Sequence, residues 1–235
     1  MVELLAASRP VVPHRAVPVY HNMTYGHLLG EILLRATGAA SISALVRQEF
    51  GTEFILGMTT AEAEAAARLG SEGDPDMMAV LDRPPQTVFD HSMQFFHRDE
   101  DFNTARWRTA AIGSGSGHAT ALGLARIFAE LVHDGSLSPG RRAAASTEAA
   151  RSEGIDPVMG IPMRFSQGLE LSGPPWLDFG PDPGIIGHWG AGGATALADP
   201  RSGLSFGYVT GHMAPGFGSS QRGRRLVAAL FESNV

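Results

Sequence analysis

The sequence contains no cysteine, which excludes disulfides, thiolate metal sites and a cysteine nucleophile. It contains no lysine either, so all 18 basic residues are arginine. The formal charge is −6 and no block of basic residues stands out, which argues against a nucleic-acid partner.

No apolar run approaches the roughly 20 residues needed to cross a bilayer. The apolar patch over residues 2–7 has no positive charge before it and prolines after it, unlike a signal peptide. We therefore expect a cytoplasmic protein without a membrane partner.

Helical patterns fill the first two thirds of the 235 residues, and 43% of all residues are hydrophobic, enough for one core. Helices are predicted over 24–38, 41–51, 59–70, 118–133 and 139–152, with a long irregular surface segment over 71–116. The side of helix 118–133 predicted to be buried consists of Leu122, Leu124, Ala125, Phe128 and Leu131.

The last third of the chain has the alternation of β-strands. Strands are predicted within 161–171 and 185–211, and residues 194–209 form a hairpin around the turn residues 199–203. A closing helix is predicted over 219–231. Helices first and an antiparallel sheet last predict an α+β fold. We expect one domain, in which residues 24–160 are mainly helical and residues 161–235 hold the strands and the closing helix.

Tyr20-His21-Asn22 comes directly before the first clear helix, where a side chain can face a cleft. A tyrosine acts as a general base only if nearby cations lower its pKa from about 10. The alternative is an amphipathic aromatic residue that plugs the end of the helix.

His188-Trp189-Gly190-Ala191-Gly192-Gly193 opens the predicted hairpin. Glycine weakens a strand unless another group must approach the backbone closely. A substrate carbonyl that accepts a backbone N–H bond would be such a group, and a bulged strand is the alternative.

Two other patterns carry weaker signals. In Gly113-Ser114-Gly115-Ser116-Gly117 neither serine has the glycines of a G-x-S-x-G nucleophile motif in register. Among the nine histidines, His91 and His97 are six residues apart, and no metal-ligand spacing exists. No metal site is predicted.

Several ordered motifs together resemble the β-lactamase-related serine hydrolases, nearest to the family VIII carboxylesterases. The Tyr-His-Asn segment resembles their tyrosine motif, and His188-Trp189-Gly190 stands where relatives have Lys-Thr-Gly, His-Thr-Gly or Trp-Gly-Gly. The other similar segments are Gly117–Ala129, Phe165–Leu171, Ala198–Pro200 and Phe206–Val209.

This resemblance implies a role for each matching residue. Tyr20 would shuttle the proton between nucleophile and leaving group. Asn22 would orient the substrate or the family's catalytic lysine, which this chain lacks, and His188 would line the cleft in place of a lysine. The backbone N–H of Ala191, after Gly190, would be half of the oxyanion hole, and Trp189 would narrow the substrate edge. The implied reaction is hydrolysis of a small ester or amide through an acyl-serine intermediate, without a metal or organic cofactor.

Family members also carry Ser-x-x-Lys well upstream of the tyrosine, and a chain without lysine cannot contain this motif. We therefore expect a β-lactamase/transpeptidase-like domain truncated at its N-terminus and inactive alone. The expected partner is a separate N-terminal segment or a second copy of the chain. A non-catalytic binding module derived from a hydrolase is the alternative, and a separate enzyme using Ser114 or Ser116 is a third hypothesis.

Overall fold

A computed structural model describes residues 1–10, 18–71, 102–152, 154–173, 175, 177–214 and 220–233. The helices are α1 (Val2–Ala7), α2 (Thr24–Thr37), α3 (Ile42–Phe50), α4 (Thr60–Ala65), α5 (Ala105–Thr109), α6 (Ala121–Ala129), α7 (Pro139–Ser146) and α8 (Gln221–Glu232). The strands are β1 (Phe54–Leu56), β2 (Gly70–Ser71), β3 (Gly117–Ala119), β4 (Ala150–Arg151), β5 (Arg164–Phe165), β6 (Glu170–Leu171), β7 (Ile186–Trp189), β8 (Thr195–Asp199), β9 (Leu204–Tyr208) and β10 (His212–Met213).

The main sheet is antiparallel, with its six strands in chain order from β4 to β9. Its last hairpin pairs Ala198 with Ser205 across the turn, which confirms the predicted hairpin. Two smaller sheets pair β1 with β3 and β10 with β2. The α+β fold class is confirmed.

Two hydrophobic clusters cover the two faces of the main sheet. Successive side chains of a strand point to opposite faces, so Ile186 and Trp189 of β7 belong to different clusters. Trp189 packs with Val227 of α8, whereas Ile186 packs with Ala145 of α7 and with Phe128 of α6. The sheet therefore lies between α8 on one side and α6 with α7 on the other.

Polar caps set the starts of several helices. The Ser41 side chain accepts a bond from the Ala44 N–H at α3, and Thr59 forms a capping box with Glu62 at α4. Helix α2 ends at Gly38, which has φ 70°. The helices predicted over 24–38 and 41–51 are thus confirmed.

Other predicted boundaries are wrong. The helix predicted from His118 begins at Ala121, because the Thr120 side chain caps it and His118 lies in β3, paired with Ile55. Leu122, predicted to be buried, is 59% exposed.

The remaining differences shorten predicted elements. The helix predicted to end at 70 stops at Ala65, and the one predicted to end at 152 stops at Ser146 before strand β4. The single strand predicted over 161–171 is a hairpin, because Gly168, with φ 94°, turns the chain between β5 and β6. Residues 72–101 of the predicted irregular segment, with His91 and His97, and Ser219 of the closing helix lie outside the described residues.

Across the described ranges, no single helix is long and apolar enough to span a membrane. Helices α2 and α3 have the length and the apolar composition only when they are taken together, and they are bent by 77° relative to each other.

Helix α6 lies directly on the backbone of β9, which predicts a large effect at Gly207. A Cβ there would lie 2.3 Å from the Ala121 carbonyl oxygen and 2.9 Å from the Ala125 nitrogen. We expect Gly207→Ala to lower the free energy of unfolding by about 1–3 kcal/mol, because helix and strand must separate. Gly140→Ala in α7 is the control, since a Cβ there meets nothing within 4 Å. Urea denaturation that shows equal stabilities for both variants would contradict this packing.

Candidate active site

Tyr20 is held by a buried carboxyl group just before α2. Its backbone N–H donates to Asp156 Oδ2 at 2.8 Å. Asp156 is fully buried, and its Oδ1 accepts from the N–H groups of Val158 at 2.8 Å and Met159 at 2.9 Å. These bonds fix the tyrosine backbone against the loop that precedes β5.

His188 lies beside Tyr20 on β7, where it pairs with Ala196. Tyr20 Oη is 3.1 Å from His188 Nε2, and the two rings stack with centroids 6.4 Å apart. The tautomer of His188 decides which of the two groups donates. The sequence-based prediction that these distant residues flank one cleft is confirmed, while their catalytic roles stay predictions.

Glu170 on β6 is a third member of this cluster that the sequence prediction missed. Its Oε1 is 3.5 Å from His188 Nε2, and the residue is only 8% exposed. Burial raises the pKa of the Glu170 carboxyl, while His188 partly offsets the rise and Asp156 adds to it. The available signal was an acidic residue between two leucines, Leu169 and Leu171, in a predicted strand.

The same surroundings raise the pKa of the Tyr20 hydroxyl far above its usual value. Burial is the largest cause, followed by the negative charges of Glu170 and then Asp156. Tyr20 is therefore protonated at neutral pH. As the chain stands, it can donate a hydrogen bond but cannot act as a base.

The glycines after β7 form a tight turn. Gly190 donates to the Ala194 carbonyl at 2.7 Å, and Gly193 donates to the Gly190 carbonyl at 3.0 Å. Gly193 has φ 101°, and a Cβ there would lie 2.4 Å from Ser220 Oγ. Ala191 lies exposed in this turn, and we find no acceptor for its N–H among the described residues. That N–H is free to bind a developing negative charge.

The side chain of Trp189 packs in the core, although the residue also lines the cleft, and its role at the substrate edge stays a prediction. Its ring stacks on Phe179 with centroids 5.9 Å apart, and the residue is 6% exposed. Helix α8 covers the ring, since a Cβ on Gly223 would lie 2.5 Å from it. The side chain lies on the face of β7 that packs against α8, whereas Ile186 and His188 lie on the other face.

The site residues named from the sequence line one cleft of about 670 Å³. Its lining residues include Tyr20, Asn22, His188, Trp189, Gly190 and Ala191. The other lining residues include Arg68, Trp107, Arg108, Ser114, His118 and Met213. The cleft therefore brings the tyrosine, the histidine and the free N–H to one space, together with Glu170.

Ser114 and Ser116 hold the loop before β3. Ser116 is fully buried, and its hydroxyl donates to the Ala110 carbonyl and accepts from the Ile112 N–H. Ser114 Oγ accepts from the Gly26 N–H at 2.9 Å and so fixes the loop to α2. These bonds disfavour both serines as nucleophiles.

We predict that Ser116→Ala lowers the free energy of unfolding by about 1–3 kcal/mol, since it leaves the partly buried Ala110 carbonyl and Ile112 N–H without this partner. Thermal unfolding measures this loss. A variant as stable as the parent chain would show that the buried bonds contribute nothing.

No group of three or more histidine, aspartate or glutamate side chains in the described part of the chain could hold a metal ion.

The family model for β-lactamase matches residues 1–230. The chain belongs to the β-lactamase family. A comparison with curated proteins found no match.

Three solved structures are similar to the chain. EstA from Arthrobacter nitroguajacolicus Rue61a is 27% identical with a TM-score of 0.79, over 98% of this chain and 64% of that one. A penicillin-binding protein homolog from Caulobacter crescentus is 29% identical with a TM-score of 0.74, over 97% and 62%. A family VIII carboxylesterase is 26% identical with a TM-score of 0.74, over 97% and 62%. The chain thus spans less than two thirds of the length of these relatives.

Proposed function

We propose that the cleft is one side of a serine hydrolase site that cleaves small carboxylic esters through an acyl-serine intermediate. The observation that carries this proposal is the 3.1 Å contact of Tyr20 Oη with His188 Nε2, in the cleft that also receives the free N–H of Ala191. Membership of the β-lactamase family supports hydrolase chemistry, and two of the similar structures carry esterase names.

In this proposal a serine hydroxyl attacks the ester carbonyl and forms a C–O bond. The carbonyl oxygen becomes an oxyanion that accepts a hydrogen bond from Ala191 N–H. Collapse breaks the bond to the leaving alcohol, which takes the proton relayed through Tyr20. Water then cleaves the acyl-serine, releases the carboxylic acid and returns the proton to serine.

The serine and its activating lysine must come from outside these 235 residues, because the chain contains no lysine. A lysine ammonium near Tyr20 would favour its phenolate and oppose the burial and the two carboxyl groups that raise the pKa of Tyr20. We therefore propose that the chain alone does not turn over esters. The carboxyl groups of Glu170 and Asp156 help to keep Tyr20 protonated. This favours a second candidate function, in which the cleft binds a ligand without catalysing a reaction.

A complementation experiment separates the two candidates. A Ser-x-x-Lys segment from a family VIII carboxylesterase is fused before residue 1, and p-nitrophenyl butyrate hydrolysis is measured. We expect saturable turnover that disappears when the donated serine is changed to alanine. A folded fusion protein that shows no turnover and no acyl-serine by mass spectrometry would contradict the hydrolase proposal.

A further inference from the structure

Glu170 is a buried carboxyl group that reaches the cleft and has no strong donor. Its closest polar contact among the described residues is His188 Nε2 at 3.5 Å, with no hydrogen bond to a backbone N–H. Asp156, another buried carboxyl group, instead accepts three backbone N–H bonds. A buried carboxylate without donors is costly, so Glu170 has unused capacity to accept hydrogen bonds from a ligand.

Two oxygen atoms with free lone pairs, one from Tyr20 and one from Glu170, converge beside His188 at this point of the cleft. Tyr20 Oη lies 3.1 Å from His188 Nε2, and Glu170 Oε1 lies 3.5 Å from the same nitrogen. A primary ammonium group carries one positive charge and three N–H donors. It therefore matches the charge of the carboxylate and can donate to both oxygen atoms.

We propose that Glu170 and Tyr20, which lie beside His188, bind a primary ammonium group in the cleft. The group could belong to a small amine or to a lysine side chain. Where the ammonium group is part of an ester substrate, this inference rests on the proposed hydrolase function. Binding of an amine to the chain alone does not depend on that function.

The cations that line the cleft do not neutralise Glu170. Arg68 and Arg108 line the cleft, and among the described residues neither forms an ion pair with Glu170. The Arg108 guanidinium instead donates to the carbonyl groups at the end of α4, at Ala63 and Ala66. Burial lowers the pKa of His118, which also lines the cleft, so His118 adds no charge at neutral pH.

Ammonium binding should depend on pH in a defined direction. Burial and Asp156 raise the pKa of Glu170, and only its ionised form attracts the cation. Affinity should therefore increase as pH rises through this raised pKa, and a proton should be released on binding. Glu170→Gln should remove this dependence.

The test is isothermal titration of the purified chain with n-butylammonium, butyltrimethylammonium, butanol and butyrate. We expect n-butylammonium to bind best, because only it combines a positive charge with N–H donors. Glu170→Gln should weaken its binding about tenfold or more, as loss of a charge-assisted hydrogen bond predicts. Glu49→Gln is the matched control, since Glu49 is exposed on α3 and lies outside the cleft.

A second variant and a second probe complete the test. Tyr20→Phe removes one acceptor without touching the carboxylate, so a smaller loss of affinity is expected if the variant folds. Nα-acetyl-lysine methylamide that binds as well as n-butylammonium indicates a lysine side chain, and binding of n-butylammonium alone indicates a small amine. Equal binding of butanol and n-butylammonium, or unchanged affinity in Glu170→Gln, would overturn the proposal. This titration needs no turnover, so a failed complementation experiment and a failed titration are distinguishable.

Discussion

Tyr20→Phe is expected to lower kcat for p-nitrophenyl butyrate by about 10²–10⁴-fold in the fusion protein that carries Ser-x-x-Lys. The hydroxyl that contacts His188 at 3.1 Å is the group proposed to relay the proton, and phenylalanine keeps the ring without it. Steady-state kinetics of the two fusion proteins measure the change.

Tyr25→Phe is the matched control for this variant. Tyr25 lies on α2, is 45% exposed, and its hydroxyl reaches only the Gly168 carbonyl at 3.5 Å. Its loss should leave kcat within about twofold, because this bond is long and exposed. Equal losses in the two variants would show that Tyr20 affects structure and not proton transfer.

Trp189→Ala is expected to lower the free energy of unfolding by about 3–5 kcal/mol. The indole fills the space between Phe179 and α8, and its removal leaves a cavity in the main core cluster. Leu122→Ala is the control, because this leucine of α6 is largely exposed and should cost less than about 1 kcal/mol. Urea denaturation of both variants measures the difference.

A small loss in Trp189→Ala together with a change in ester KM would contradict this placement. That result would indicate that the Trp189 side chain lies at the substrate edge, as predicted from the sequence.

The sequence predicts the order of elements well where local signals agree. Ser41 and Gly38 mark helix ends through capping and a positive φ, and the turn residues from Asp199 to Gly203 fix the last hairpin. These signals depend on a few neighbouring residues and need no tertiary contact. For this reason α2, α3, β8 and β9 are close to their predicted bounds.

Tertiary contacts decide the positions that sequence patterns missed. The pairing of His118 with Ile55 makes a strand of residues that follow a helical period. The alternation of β7 places Trp189 in the core, although its neighbour His188 faces the cleft. Pairing and burial of this kind depend on distant residues that periodicity does not reveal.

The residues of the candidate site also fall into those that the sequence predicted and one that it missed. Motif resemblance identified Tyr20, Asn22, His188 and Ala191, and all of them line the cleft. Glu170 was missed because a single acidic residue in a short strand carries no motif. Its importance follows only from burial and from the 3.5 Å contact with His188.

Hydrolysis of p-nitrophenyl butyrate by purified residues 1–235, beside the Tyr20→Phe variant, tests the central claim most directly. Tyr20 is protonated at neutral pH and no lysine is available, so both proteins should show only the same slow, non-saturable hydrolysis. Saturable turnover by the chain that Tyr20→Phe abolishes would contradict the claim. It would place the nucleophile within these residues, and Ser114, on the wall of the cleft, would be the first to mutate.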